Sequence, residues 1–550
     1  MVSVPTPRRV LLLLGLVAAT SMAATLLAAR RTSTTFDEIV MVAGGARGYA
    51  TGAWDLAPEH PPLVQYLYGL PVHLLAAPTL PSASQMAEAE RAAMSYRYHY
   101  AQTFYWKTGN DPERIAFLGR ILAVLMVGLL TLATFLLTRP ALGPWPALVA
   151  AALVAFLPDV VAHGGVAYND LPAALTYLLA VYALDAAVRR PTQRRGVLAG
   201  LAVALALSIK LSAVVLGPVA ALLLGAEAWR RRGDAAWRHA ARRAVGAGAL
   251  ALYAGLVLTY RGDLVLDEFL RGMAHTFGHV TQGHGIPAYF GGQIRRGSWW
   301  WWYPAAFLYK TPAAFHVLLV VAAFGGGLAW WRERRSGGVR DEAASLLESP
   351  LRAPLAGLLV FAAALLTSNL AIGFRHALPV LPLLCILAAA GAARAWRARG
   401  RAMAVLVVAL VVAHAASTLS WYPWFLSYVS EYAPARNQGH RVFVDSSVDW
   451  GQGLLALRET MAERGIERVY LSYFGSALPE GYGIDYVPLP SFFPLEAPPG
   501  SDPTAPPPEW AVVSASLLHP VYLEGSLVDR FTRMAPEAVV ARTLFLYRLP

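Results

Sequence analysis

Long apolar runs recur along the chain, separated by short polar segments rich in arginine. The first, Val10–Ala29, follows Arg8 and Arg9 and is roughly 20 residues long, enough to cross a bilayer. No small-residue cleavage site precedes Arg30-Arg31, so the pattern predicts an uncleaved first helix rather than a signal peptide. Further runs occupy Ile115–Leu137 (interrupted at Arg120), Pro144–Ala162, Leu171–Val188, Val197–Ile209, Leu211–Ala226, Ala244–Leu258, Pro312–Trp331, Pro354–Leu370, Leu378–Ala393 and Ala402–Leu419. By hydropathy these predict about eleven transmembrane helices and a mainly α, polytopic fold.

Basic clusters fix the expected orientation. With a cytoplasmic N-terminus, Arg189–Arg195, Arg230–Arg243, Arg332–Arg352 and Arg394–Arg401 all fall in cytoplasmic turns, as the positive-inside bias requires. Val197–Ala226 tests that count. One crossing there would put two Arg clusters on opposite sides, whereas two crossings of about 15 residues each keep both inside. The pattern predicts a short or tilted hairpin with Lys210 near its tip, where an ammonium needs protein, water or an anion as partner. A snorkelling lysine is the plainer alternative.

This topology leaves two long extracytoplasmic loops, Arg30–Asp111 and Arg261–Trp302, and divides the chain into residues 1–420 and an extracytoplasmic region 421–550. Trp299–Trp302 reads as an interfacial aromatic belt, answered by Trp330 and Trp331 at the other face. The last region predicts a small α/β domain: a strand at Arg441–Val444, a helix at Leu454–Arg464, and strands at Arg468–Phe474, Trp510–Ser514 and Thr543–Leu549. The Pro-rich stretch Pro488–Pro508 divides the first unit from the rest.

Composition agrees with burial in lipid. The chain is 56% hydrophobic and 15% charged, with mean hydropathy +0.45, against about 25% charged residues in soluble domains. The net charge of +12 lies in cytoplasmic-type clusters and does not point to nucleic acid. Lysine occurs only at Lys107, Lys210 and Lys310. The single cysteine, Cys385, excludes intramolecular disulfides and Cys-based metal sites.

The charged residues able to do chemistry gather on the extracytoplasmic side. Asp37 and Glu38 follow the first helix, where a shielded carboxylate would serve as a general base; a helix N-cap is the competing reading. Glu59-His60-Pro61-Pro62 places an imidazole just before a helix start, a natural anion site or an ordinary loop junction. Asp170 opens a helix on the same side, as functional acid or as cap. Lys310 stands beside a Thr–Pro helix start, and Arg375 and His376 occupy an outer turn that the positive-inside bias disfavours. A phosphate partner would account for both cations, and solvated interfacial charge is the alternative. Carboxylates for proton transfer beside cations for phosphate suit transfer from an anionic, lipid-anchored leaving group.

The ordered series Thr35-Phe36-Asp37-Glu38, Glu59-His60-Pro61-Pro62-Leu63, Tyr168-Asn169-Asp170-Leu171-Pro172, Lys210-Leu211-Ser212, Tyr309-Lys310-Thr311-Pro312, Gly373-Phe374-Arg375-His376 and Asp445 to Gln452 resembles bacterial family 39 glycosyltransferases, relatives of protein O-mannosyltransferases and of the lipid A aminoarabinose transferase. The resemblance implies a GT-C-type membrane fold and inverting transfer of a sugar from a polyprenyl-phosphate-linked donor. It also implies Asp37 as general base, Asp170 with Glu38 placing the acceptor, and Glu59, His60, Lys210, Lys310, Arg375 and His376 binding substrate. The acceptor is a glycan, lipid or protein. Loop 261–302 is too short for the β-trefoil of the eukaryotic relatives, and Asp445, Asp449 and Trp450 carry no assigned step. Paired acids could bind a divalent cation, although no ligand spacing demands one. A lipid or glycan transporter would favour midplane charges and internal repeats, which the sequence lacks. A non-catalytic assembly protein gives no reason for the one-sided charges.

Overall fold

The structure is a computed structural model that describes residues 6–89, 96–283, 285–335, 347–502, 504–523 and 525–550. Among the described residues seven helices are long and apolar enough to cross a membrane: Arg8–Ala29, Pro112–Leu142, Asp170–Arg189, Leu211–Arg230, Ala235–Thr259, Phe374–Arg399 and Arg401–Leu419. Two bent pairs raise this to nine if each is one span: Pro144–Ala155 with Pro158–Gly164, bent by 60°, and Trp302–Lys310 with Ala313–Gly325, bent by 112°. The prolines Pro158 and Pro312 follow both breaks, where a missing amide ends the helical ladder. The remaining two of the eleven expected spans are the helices Gln193–Ile209 and Arg352–Thr367. At 17 and 16 residues they are shorter than the roughly 20 of a full crossing.

Local chemistry explains the helix starts. Asp111 accepts from the amide of Arg114 with Pro112 at the first helical position, and Asp234 accepts from the amide of Trp237. The Val197–Ala226 hairpin forms, turning at Lys210. Its first arm lies against the helix Ala235–Thr259 so closely that a Cβ at Gly196 or Gly200 would stand 2.0 Å from the carbonyl oxygen of Ala244 or Gly248. Small residues are what allow such backbone contact between membrane helices.

The helix Asp170–Arg189 joins two chemically different ends of the bundle. At its Arg189 end, Asp185 accepts from Arg189 (2.7 Å) and Arg352 (2.6 Å), while Glu227 accepts from Arg230, Arg231 and Arg352. Residues 336–346 of the expected Arg332–Arg352 turn lie outside the described residues. The aromatic belt is corrected by the structure. Trp302 is buried, its indole N–H donating to the Tyr289 carbonyl at 3.1 Å, and Trp300 is exposed. The side chains of Trp330 and Trp331 lie outside the described residues.

Loop 261–302 holds the helix Asp267–Gln282 and a hairpin of β1 (Ala288–Phe290) and β2 (Gln293–Arg295). After residue 421 come β3 (Arg468–Ser472), β4 (Asp485–Pro488), β5 (Trp510–Ser514), β6 (Ala538–Val540) and β7 (Leu544–Arg548), in the sheet order β4-β3-β5-β7-β6. β3 runs parallel to both neighbours, and β7 is antiparallel to β5 and β6. The expected helix Leu454–Arg464 is present. The expected strand Arg441–Val444 is not: short 3₁₀ turns at Arg436–Arg441 and Asp445–Ser447 flank it. Val442, Phe443 and Val444 are all buried, so the run fills a turn in the core rather than alternating between two faces of a sheet. The segment packs into the bundle, with the amides of Ser33 and Phe36 donating to the carbonyls of Gln452 (3.1 Å) and Trp450 (2.9 Å).

Candidate active site

Where the helix Arg8–Ala29 ends and the helix Asp170–Arg189 begins, a cavity of about 260 Å³ enters the protein. Asp37, Glu59, His60, Lys210, Arg375 and His376 all line it. The structure thus unites six of the nine residues singled out in the sequence and sets Glu38, Asp170 and Lys310 off the cavity wall.

Asp37 occupies the N-cap position of the helix Glu38–Thr51, yet its carboxylate makes no capping bond. One oxygen accepts from the Tyr98 hydroxyl at 2.6 Å, the other stands 3.7 Å from Arg375, and the side chain is 20% exposed. Its neighbour is different. Glu38 is fully buried and takes two 2.7 Å bonds from Arg120 as well as the amides of Thr35 and Ala167, each at 2.9 Å. Arg120 also donates to the carbonyls of Ala29, Thr32 and Ser33. The Glu38 carboxylate is therefore committed to the fold and does not reach the cavity, contrary to the expectation that it helps place an acceptor. The pair clamps the turn that carries Asp37.

Asp170 lies behind the cavity wall and bridges two cations that line it: Lys210 at 2.5 Å and Arg375 at 3.4 Å. It is a buried anchor for the cations rather than a group facing an acceptor. The Arg375 guanidinium also lies over the rings of Trp450 (4.1 Å) and Tyr168 (5.0 Å), a cation–π arrangement. Lys310 is corrected more sharply. Its ammonium is fully buried and donates to the carbonyls of Leu426, Tyr428 and Ser447, at 3.0, 2.9 and 2.6 Å. All three protons serve the region after residue 421, leaving none for a phosphate.

His60 precedes the helix Leu63–Ala76 and contacts the Tyr168 hydroxyl at 3.2 Å and the Asn169 amide nitrogen at 3.4 Å. Burial holds its imidazole below its ordinary range, opposed by the charge of Glu59. Glu59 is ion-paired with Arg97. The reading of the sequence missed Arg97 and Tyr98, although the run Tyr96-Arg97-Tyr98-His99-Tyr100 in a polar loop was a usable signal. It also missed Phe474, Phe492 and Tyr522, which close the cavity from the C-terminal side. Among the described residues no group of three or more His, Cys, Asp or Glu side chains is arranged to hold a metal ion. Of the adjacent acids Asp37 and Glu38, Glu38 is taken up by Arg120, while Asp37 lines the cavity.

Residues 110–254 match the family model of dolichyl-phosphate-mannose-protein mannosyltransferases. Two of the motif segments that carry the resemblance, Tyr168–Pro172 and Lys210–Ser212, lie within that match. No curated protein matches the chain. Among solved structures it is similar to ArnT from Cupriavidus metallidurans bound to undecaprenyl phosphate, at 12% identity and TM-score 0.48, over 96% of this chain and 97% of that one. It is similar to the S. cerevisiae protein O-mannosyltransferase Pmt1–Pmt2 complex bound to the sugar donor at 17% identity and TM-score 0.35, over 53% and 39%. For the oligosaccharyltransferase AglB of Archaeoglobus fulgidus the values are 13% and 0.41, over 76% and 58%. Likeness this remote carries no argument about activity, which has to come from the site itself.

Proposed function

We propose that the chain is an inverting glycosyltransferase that moves a sugar from a polyprenyl-phosphate donor to an acceptor hydroxyl at the extracytoplasmic face of the bacterial inner membrane. The observation that carries this reading is the pairing of a partly exposed carboxylate, Asp37, with two cavity-lining cations, Arg375 and Lys210, at one end of a membrane bundle. The match of residues 110–254 to a lipid-phosphate-sugar-dependent family supports it. So does the Arg-rich opposite end, which suits the cytoplasmic side.

In this reading Arg375 and Lys210 hold the donor phosphate. The acceptor oxygen attacks the anomeric carbon from the face opposite the phosphate, and its proton passes to Asp37. The bond between the anomeric carbon and the phosphate oxygen breaks, and the electron pair leaves on the phosphate. The cations stabilise the charge developing there, in a site screened from water where such stabilisation is large. Asp170 acts through the cations as a positioning residue, and the Glu38–Arg120 pair acts through the Asp37 turn. Glu59, His60 and His376 line the space the substrates would fill.

The test is sugar transfer from radiolabelled polyprenyl-phosphate sugars in membranes expressing wild type or Asp37→Asn. A labelled product made by wild type and lost in the variant, at equal protein level, supports the reading. Equal labelling in both removes Asp37 from the role of base.

A further inference from the structure

The cavity has a second wall that comes from the region after residue 421. Asp445, Phe474, Phe492 and Tyr522 line it together with His60 and Lys210. Phe474 lies 4.8 Å and Phe492 5.2 Å, ring centre to ring centre, from Tyr522, and both lie 5.6 Å from Phe36. Within this aromatic wall sits one half-buried carboxylate. Asp445 has left-handed backbone (φ 59°), and its oxygens accept from the Ser446 amide and the Tyr522 hydroxyl, each at 2.5 Å. Its amide donates to Ser516 at 2.9 Å.

This wall is bolted to the cation that the proposed mechanism assigns to phosphate. Ser446 Oγ donates to the Ile372 carbonyl at 3.0 Å, the Phe374 amide donates to Ser447 Oγ at 3.1 Å, and Trp450 lies against the Arg375 guanidinium. Burial raises the Asp445 carboxyl, while the Tyr522 hydrogen bond and the nearby Arg375 charge pull it down. Arg375, Asp445 and Tyr522 line one cavity, so a group bonded to a phosphate on Arg375 would have Asp445 and Tyr522 within the same space.

The chemistry of the wall restricts that group. Aromatic faces suit the C–H faces of a saturated ring, and a carboxylate with unused lone pairs suits hydroxyl donors. A purely apolar ligand would strip the remaining water from this carboxylate without giving it a new hydrogen bond, which is costly. We infer that the region after residue 421 is the sugar-reading element of the enzyme: a pyranose ring packs on Phe474 and Phe492, and its hydroxyls bond to Asp445 and Tyr522. The ring is that of the donor, because the wall is joined to Arg375. This assignment rests on the transferase reading above.

The experiment uses the full chain in nanodiscs and competition binding against radiolabelled polyprenyl phosphate. The competitors are unlabelled polyprenyl phosphate, polyprenyl-phosphoryl-mannose and polyprenyl-phosphoryl-glucose. Wild type is expected to prefer at least one glycosylated lipid over the bare phosphate by about tenfold, the worth of one hydrogen bond to a charged group. Tyr522→Phe and Asp445→Asn should each erase that preference while keeping affinity for bare polyprenyl phosphate within about twofold. Arg375→Lys should weaken all three lipids together, and size-exclusion profiles report whether each variant is folded. Retention of the preference in both tail variants overturns the inference. Retention with a raised KM for the acceptor assigns the ring to the acceptor and overturns the donor assignment. If wild type fails to bind bare polyprenyl phosphate, the transferase reading falls and the subsite falls with it.

Discussion

Arg120 and Arg375 are both buried arginines beside acidic residues at the same end of the bundle, and they are held in opposite ways. Arg120 is saturated, with donor distances of 2.6–2.9 Å to Glu38 and to the backbone carbonyls of Ala29, Thr32 and Ser33. Arg375 stands 3.4 and 3.7 Å from its two carboxylates and relies on two aromatic rings for the rest. Among the described residues its Nε finds no hydrogen-bond acceptor. A saturated guanidinium fixes a fold and has nothing left for a ligand. An undersaturated one facing a cavity can still take a phosphate through its planar fork.

The contrast breaks most visibly at Arg120. Arg120→Met leaves the Glu38 carboxylate buried without its partner, and about 3–5 kcal/mol of stability should be lost. Thermal unfolding in detergent, with expression yield, measures it; an unchanged midpoint would show that the clamp is dispensable. Asp37→Asn, one residue away, should leave the midpoint where it is and lower transfer by about 10²–10⁴-fold, the usual worth of a general base. Arg375→Lys keeps the charge but loses the fork and the ring stacking. Transfer should fall by about ten- to a hundredfold, seen in kcat at saturating donor, with folding preserved. The smallest effect belongs to His440 and His519, half-buried imidazoles that desolvation lowers to about 3 and about 4. Both are neutral in the fold, while the unfolded chain takes up protons below about 6.5. Their contribution is complete above that pH and is lost as pH falls through the folded values. His440→Phe should flatten the decline in unfolding midpoint between pH 7 and pH 5; a decline as steep as in wild type would place the sensitivity elsewhere.

Much of the membrane plan was legible, because twenty-residue apolar runs leave few alternatives to a helix and Arg clusters punctuate them. The count was not. Gln193–Ile209 and Arg352–Thr367 carry apolar composition without the length, and composition does not report how a short helix is shielded by its neighbours. Asp37, His60, Lys210 and Arg375 converge because residues at matching ends of successive spans share one membrane face. Glu38 and Lys310 lie on that face too, yet their partners are an arginine 82 positions away and three carbonyls from beyond residue 425. A sequence marks a charge but not the acceptors that will saturate it. Arg120 stood out only as an interruption in an apolar run, although an arginine inside a span is costly enough to demand a partner. The Arg441–Val444 strand failed because three consecutive buried apolar residues suit a core turn as well as a strand. Asp445, Phe474, Phe492 and Tyr522 meet only through the tertiary fold.

Ser33 and Gly451 are joined by a hydrogen bond although 418 positions separate them. The turn that carries Asp37 is thus made early in translation and acquires its last supports only after the ribosome has delivered the other wall of the cavity. Until then the first loop waits with Glu38 held by Arg120 and Asp37 by Tyr98. A chain halted upstream could insert its helices and still be inert, since the pocket that brings a carboxylate face to face with a cation would have no roof. Completion of the cavity is in this sense the last thing the chain acquires.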